Sequence, residues 1–146
     1  MPEFDLTDFL PYSLNRAAEV ASQGFQKVYK ERYGMLRTEW RVLFHLGRYG
    51  EMTAVQICQR SDIHKTKISR AVKALEDRRF LTRTQLEDDR RHEMLALTPV
   101  GQAAYRDLSR IAQEFDAGLT AQFTAQELKV LRTALRKLGA MDKGRT

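Results

Sequence analysis

The chain is poor in the residues that staple, break or loosen a fold. It has a single cysteine, Cys58, so no internal disulfide can close and the disulfide-stapled secreted scaffolds are excluded. Three prolines and eight glycines in 146 residues exclude collagen-like and low-complexity architectures. Apolar runs are only a few residues long, whereas a membrane-spanning helix needs about 20 residues. The opening MPEFDLTDFL holds two Asp and one Glu, with no basic region and no apolar core. No secretory signal is expected, and the reading is cytoplasmic with no membrane partner. His45, His64 and His92 are scattered, with no metal-ligand spacing to one another or to Cys58. No glycine-rich phosphate loop is present; Gly47 and Gly50 read as helix-end glycines. No catalytic constellation emerges, so the expectation is a protein that is not an enzyme and uses no metal or cofactor.

What the chain does have is unevenly placed charge. The net is +6 and the pI near 9.7, a weak pointer to polyanions by itself. Residues 60–83 hold Arg60, Lys65, Lys67, Arg70, Lys73, Arg78, Arg79 and Arg83 against Asp62, Glu76 and Asp77, a local net of +5. Almost the whole excess therefore sits in one sixth of the sequence. A basic stretch alone reads equally as a solvated helix face, so its neighbours decide.

Residues 11–33 carry Leu14, Ala17, Ala18, Ala21, Phe25, Val28 and Tyr29 at three- and four-residue steps, one face of an amphipathic helix with Pro11 at its start and Gly34 past its end. Thr38 is a candidate cap for a second helix through Trp40, Leu43, Phe44 and Leu46 to Gly50. Thr53–Gln56 has the form of a capping box opening a short third helix to Arg60. Ser61-Asp62-Ile63 is a tight polar connection. A fourth helix is expected from Lys65 to Arg79, with Ile68, Val72 and Leu75 as its buried stripe. Leu81–Leu86 and His92–Leu97 read as the strands of a hairpin whose charged tip is Glu87–Arg91. Thr98-Pro99 opens a fifth helix with Ala104, Leu108, Ile111, Phe115 and Leu119. Thr124–Glu127 is a second capping box, opening a sixth helix with Leu128, Leu131, Leu135 and Leu138.

A short helix, a tight turn and a longer helix with a basic face form a helix-turn-helix unit, and a charged hairpin directly after it makes the unit winged. The second helix of such a unit enters the major groove with its N-terminal residues at base edges. Here those residues are His64, Lys65, Thr66, Lys67, Ser69 and Arg70, followed by Lys73. Lys and Arg suit guanine acceptors, and Ser and Thr can donate or accept. Arg90 and Arg91 at the hairpin tip can reach a narrow minor groove. A carboxylate at Asp89, two residues from Arg91, can hold its guanidinium in one orientation. The competing reading of the tip is a solvated charged turn.

The sequence resembles the MarR/SlyA family of bacterial winged-helix regulators over roughly residues 11–140. The resemblance rests on Leu36-Arg-Thr-Glu-Trp-Arg-Val-Leu43, on Ile68-Ser-Arg-Ala-Val-Lys-Ala-Leu75, and on Asp89-Arg-Arg91 followed by Leu97-Thr-Pro-Val-Gly101. Asp89 and Arg91 match the Asp-x-Arg pattern that the family carries in its wing. His64 departs from it, standing where many relatives have Asp; it either caps the fourth helix or donates to a phosphate.

The resemblance implies a mostly α fold: one unit over 1–146, with a winged helix-turn-helix lobe at 36–98 and helical dimerisation regions at 11–34 and 99–140. It implies a homodimer on a pseudo-palindromic duplex operator. The unpaired apolar stripes of the first, fifth and sixth helices agree with a homodimer, the alternative being mutual burial in a monomer. The resemblance further implies a transcription regulator, as a repressor relieved by a small aromatic carboxylate or phenolic effector. Tyr12, Arg16, Trp40 and His45 are candidates for that effector's pocket, against a packing role for Trp40 and an intersubunit ion pair for Arg16. Cys58, on the third helix among Val55 and Ile57, reads as a small core residue rather than a redox sensor. The rival function is a basic architectural or RNA-binding protein without an effector.

Overall fold

The computed structural model describes residues 3–89 and 91–141. Along the described residues run α1 (Leu10–Tyr33), α2 (Arg37–Tyr49), β1 (Met52–Thr53), α3 (Ala54–Ser61), α4 (Lys65–Asp77), β2 (Leu81–Gln85), β3 (Glu93–Leu97), α5 (Pro99–Thr120) and α6 (Ala125–Ala140). A 3-10 turn, Leu6–Asp8, precedes α1. The fold is thus mostly helical with a small antiparallel sheet. The chain forms two compact units, Met1–Ile111 and Ala112–Thr146.

Local chemistry accounts for most of the boundaries. Pro11 lies in the first turn of α1, and Gly34 closes it in the left-handed conformation at φ 64°, where a residue without Cβ carries no penalty. Thr53 and Gln56 exchange backbone and side-chain hydrogen bonds at the start of α3, and Thr124 and Glu127 do the same for α6; each box satisfies two otherwise orphaned donors. Thr98 Oγ1 accepts from Gly101 N at 3.0 Å, capping α5.

Three expectations need correction. Leu36, not Thr38, precedes α2, and it makes no side-chain cap. The connection from Gly34 is only two residues long and drives Met35 into full burial, so packing rather than a cap starts this helix. α4 stops at Asp77, two residues earlier than expected, because Arg79 turns to φ 66°. Gly47 is no helix end: it lies inside α2, where a Cβ would stand 2.3 Å from the Tyr105 ring of α5. Only glycine allows that approach.

The strand order is β1-β3-β2, all antiparallel, with Leu81 opposite Leu97 and Gln85 opposite Glu93 in the hairpin. β1 is an addition to the expected hairpin; Met52 and Thr53 pair with Leu95 and Met94. The core gathers Met35, Val42, Leu43, Ile57, Ile68, Leu75, Leu81, Leu95 and Leu108, all fully buried, each such side chain contributing about 1.5–3 kcal/mol. α2 and α4 pack on each other through this core. Cys58 packs partly buried against it.

Candidate nucleic-acid interface

α4 is divided lengthwise. Ile68, Ala71, Val72 and Leu75 are buried, while Lys65, Thr66, Lys67, Ser69, Arg70 and Lys73 are exposed. The spacing of the two sets follows the 3.6-residue turn, so one helix serves a core and a solvent face without conflict. Among the described residues, the side chains of Lys65, Lys67 and Arg70 meet no carboxylate; Lys73 stands 3.6 Å from Asp77, one turn on. Such an exposed i,i+4 pair is worth only a few tenths of a kcal/mol and does not cancel the basic face.

His64 opens this helix. Its Nδ1 accepts from Thr66 N at 3.2 Å, satisfying one orphaned donor of the first turn. A neutral imidazole that accepts at Nδ1 carries its proton at Nε2, and the residue is exposed. The two roles left open by the sequence, cap and donor, are therefore compatible in one tautomer.

At the hairpin tip one carboxylate meets both Arg91 and His92. Asp89 Oδ1 accepts from Arg91 N at 3.1 Å and from Arg91 Nε at 3.2 Å, and Oδ2 lies 3.6 Å from His92 Nε2. The Arg91 bonds hold the Asp89 carboxyl below its ordinary value, first through the side chain and then through the backbone. The Arg91 side chain is 88% exposed. It is thus both held at its base and extended into solvent. Arg90 lies outside the described residues. At the root of the hairpin, Arg83 Nε meets Glu76 Oε1 at 3.1 Å, tying β2 to α4.

Two further side chains brace the lobe, and neither role follows from a local pattern. Arg78, just past α4, donates through Nη1 to the carbonyls of Tyr33, at 3.1 Å, and Gly34 at the end of α1. The same nitrogen is 3.8 Å from buried Glu39 Oε1, which accepts no hydrogen bond among the described residues. Asp107 on α5 accepts from Tyr33 OH at 2.6 Å, Arg32 at 2.9 Å and Arg110 at 3.1 Å. The Tyr33 bond, ahead of those from the two arginines, pulls its carboxyl below the usual range. Burial, reinforced by that same bond, pushes the Tyr33 phenol up to about 12. Partners 45 and 74 residues apart in the chain leave no local pattern to read.

The four effector-pocket candidates are not brought together within one chain. Tyr12 and Arg16 line an open hollow with Thr7 and Ser13, and Arg16 reaches the Tyr12 hydroxyl at 3.5 Å. Trp40 belongs to an aromatic cluster, 4.9 Å from Phe25 and stacked on Tyr29 at 6.0 Å. His45 Nδ1 lies 2.6 Å from the Arg41 carbonyl. Phe25 follows Arg16 by nine residues, about 13 Å along a helix, and that distance separates the two pairs.

Comparison with known proteins agrees with this geometry. Residues 33–92 match the model of the MarR family, a span that covers α2 to the wing. The homoprotocatechuate degradative operon repressor of Escherichia coli is 25% identical over 138 residues, covering 94% of this chain and 93% of that protein. BpsR of Bordetella bronchiseptica, whose DNA binding is regulated by 6-hydroxynicotinic acid, superposes with a TM-score of 0.85 at 20% identity, over 94% of this chain and 98% of that one. A mutant MarR of Escherichia coli complexed with operator DNA superposes with a TM-score of 0.75 at 19% identity, over 93% and 99%. The match to the MarR family model spans the winged lobe, residues 33–92, and the likeness of fold to these solved structures runs along nearly the whole length.

Proposed function

We propose that the chain is a sequence-specific, dimeric DNA-binding transcription regulator, acting as a repressor that a small aromatic carboxylate or phenol releases. The observation that carries the reading is the basic face of α4, whose Lys65, Lys67 and Arg70 meet no carboxylate among the described residues, set directly over a buried stripe. Lys65, Thr66, Lys67, Ser69, Arg70 and Lys73 would read base edges and phosphates in the major groove, with His64 donating to the backbone. Arg91, steadied by Asp89, would enter the adjacent minor groove, and Arg90 would act beside it. The dimer is supported by α6, where Leu131, Leu135 and Leu138 are 39%, 46% and 37% exposed on a stripe that needs a partner. Two recognition helices about 34–36 Å apart would address successive turns of one duplex.

The effector class is supported by the relatives: one represses an operon for degrading an aromatic acid and another responds to a hydroxylated aromatic acid. A pocket using all four candidates would take Tyr12 and Arg16 from one protomer and Trp40 and His45 from its partner. Effector binding would favour a helix spacing that mismatches the grooves, a shift between pre-existing states. Trp40 is the single tryptophan, so a hydroxybenzoate bound there would quench the whole indole emission.

The test is duplex binding against excess random competitor across a salt series. A dimer neutralising ~10 phosphates gives a log–log salt slope of about −9 with the promoter fragment retained. Equal affinity for random duplex, or for RNA, would instead assign the chain an architectural or RNA-binding role.

A further inference from the structure

α2 carries a second basic face. Arg37, Arg41 and Arg48 are exposed, and at 100° per residue they fall within about 40° of one another around the helix. Among the described residues none of the three meets a carboxylate; Arg48 lies over the Tyr49 ring at 5.5 Å. Val42, Leu43 and Leu46, on the opposite side of α2, pack into the core shared with α4. The arginine stripe therefore lies on the side of α2 turned away from the core it shares with α4. Beside the stripe, Leu36 is 60% exposed.

The complement lies at the start of the chain. Residues 3–10 carry Glu3, Asp5 and Asp8 and no cation; Asp5 caps its own turn, and Glu3 and Asp8 are left to meet the arginines. Phe4, Leu6, Phe9 and Leu10 are 73%, 49%, 45% and 55% exposed, and Phe4 and Phe9 stack edge to face at 5.4 Å. Isolated exposed apolar residues are ordinary; four in eight residues, on a folded turn, form a surface that needs cover. The turn is fixed to its own helix: Asp5 caps it through Thr7, and Ser13 Oγ donates to the Thr7 carbonyl at 3.0 Å. Leu10 precedes Phe25, the α1 residue on Trp40, by fifteen positions, about 22 Å of helix. The segment cannot fold back onto its own α2.

We propose that residues 3–10 of one protomer seat on the Arg37–Arg41–Arg48 face of α2 in a second copy of this chain. The acidic groups meet the guanidinium groups, and Phe4, Phe9 and Leu10 cover Leu36 and the edge of the aromatic cluster. The twofold repeats the contact, so each dimer holds two of them. The contact rests on the dimer proposed above and deepens it: like charges set against each other at this seat would oppose self-association, and complementary ones direct it.

The experiment uses the full chain and two charge-reversed variants, one Glu3→Lys/Asp8→Lys and the other Arg37→Glu/Arg41→Glu. All four positions are exposed, and Asp5 is left to cap its turn. Circular dichroism melts verify folding, and sedimentation equilibrium reads self-association. Each variant alone should raise the dimer dissociation constant by about tenfold or more. An equimolar mixture should recover wild-type association as a heterodimer, because both of its contacts are again complementary. That rescue separates a misfolded variant from a repelled one. Wild-type dissociation constants for both variants, or no recovery on mixing, would overturn the contact and leave the dimer standing. A monomeric wild-type chain would overturn the dimer and the contact together. If Arg37→Glu/Arg41→Glu dimerises normally but loses duplex affinity, the stripe belongs to nucleic acid and the proposal falls.

Discussion

α4 and α6 are helices of similar length and similar apolar periodicity, yet they meet opposite fates. α4 buries Ile68, Ala71, Val72 and Leu75; α6, with Leu128, Leu131, Leu135 and Leu138 and a complete capping box, buries no residue at all. The cap and the stripe explain why α6 is a helix. They do not explain what its stripe is for. In α4 the apolar side is consumed by the fold and the polar side stands in solvent, whereas in α6 the apolar side is the one left exposed. The difference separates what a sequence periodicity shows, an amphipathic helix, from what it does not, the identity of the surface that covers it.

The comparison breaks most visibly under truncation. Leu75→Ala should cost about 2–5 kcal/mol of unfolding free energy in denaturant melts, since it empties a fully packed site. Leu131→Asp/Leu135→Asp should leave the melting of the winged lobe in place and abolish dimerisation in sedimentation. Should the α6 variant unfold the lobe as Leu75→Ala does, the two helices would not differ in the way described.

The polar side of α4 sharpens the comparison further. Arg70→Ala should lose ~1–3 kcal/mol at one base position in competition binding if Arg70 pairs with a guanine, with little change elsewhere in the site. Equal losses on every duplex would make it a phosphate contact. Arg91→Ala should have a smaller effect, confined to the flanks of the site where groove width is read.

The smallest effect concerns the wing clamp and pH. Asp89 has a lowered carboxyl because Arg91 bonds its charged form. A group of this kind contributes order above its ordinary value and loses it as pH falls through the lowered one. The Arg91 Nε–H resonance should stay distinct at neutral pH and collapse towards its solvent-averaged position in acid. Asp89→Asn should show the acid-like resonance at every pH.

Much of this architecture was legible because it is local. The two capping boxes, Pro11, Gly34 and the Ile68–Leu75 stripe each act within a few residues, and each fell where the pattern placed it. So did the Asp89–Arg91 clamp, whose partners are two positions apart. The remainder is set by distance in the chain. β1 is two residues long and exists only because β3 offers Met94 and Leu95. Gly47 owes its role to Tyr105, and Arg78 to the carbonyls of Tyr33 and Gly34. Thr38, a good capping residue by type, yields to the burial of Met35, and α2 starts after Leu36. For the candidate interface, residue types and exposure could be anticipated on α4. The bracing of that helix by Arg78 and Glu39 could not.

The central claim is that the exposed face of α4 reads duplex sequence, presented twice. Selection of bound fragments from a random duplex pool by the purified wild-type chain tests it most directly. The account predicts a palindrome whose half-sites lie about one helical turn apart, with enrichment lost for Lys67→Ala/Arg70→Ala. A pool that stays random after repeated rounds, or a selected motif that survives this double substitution unchanged, would contradict it.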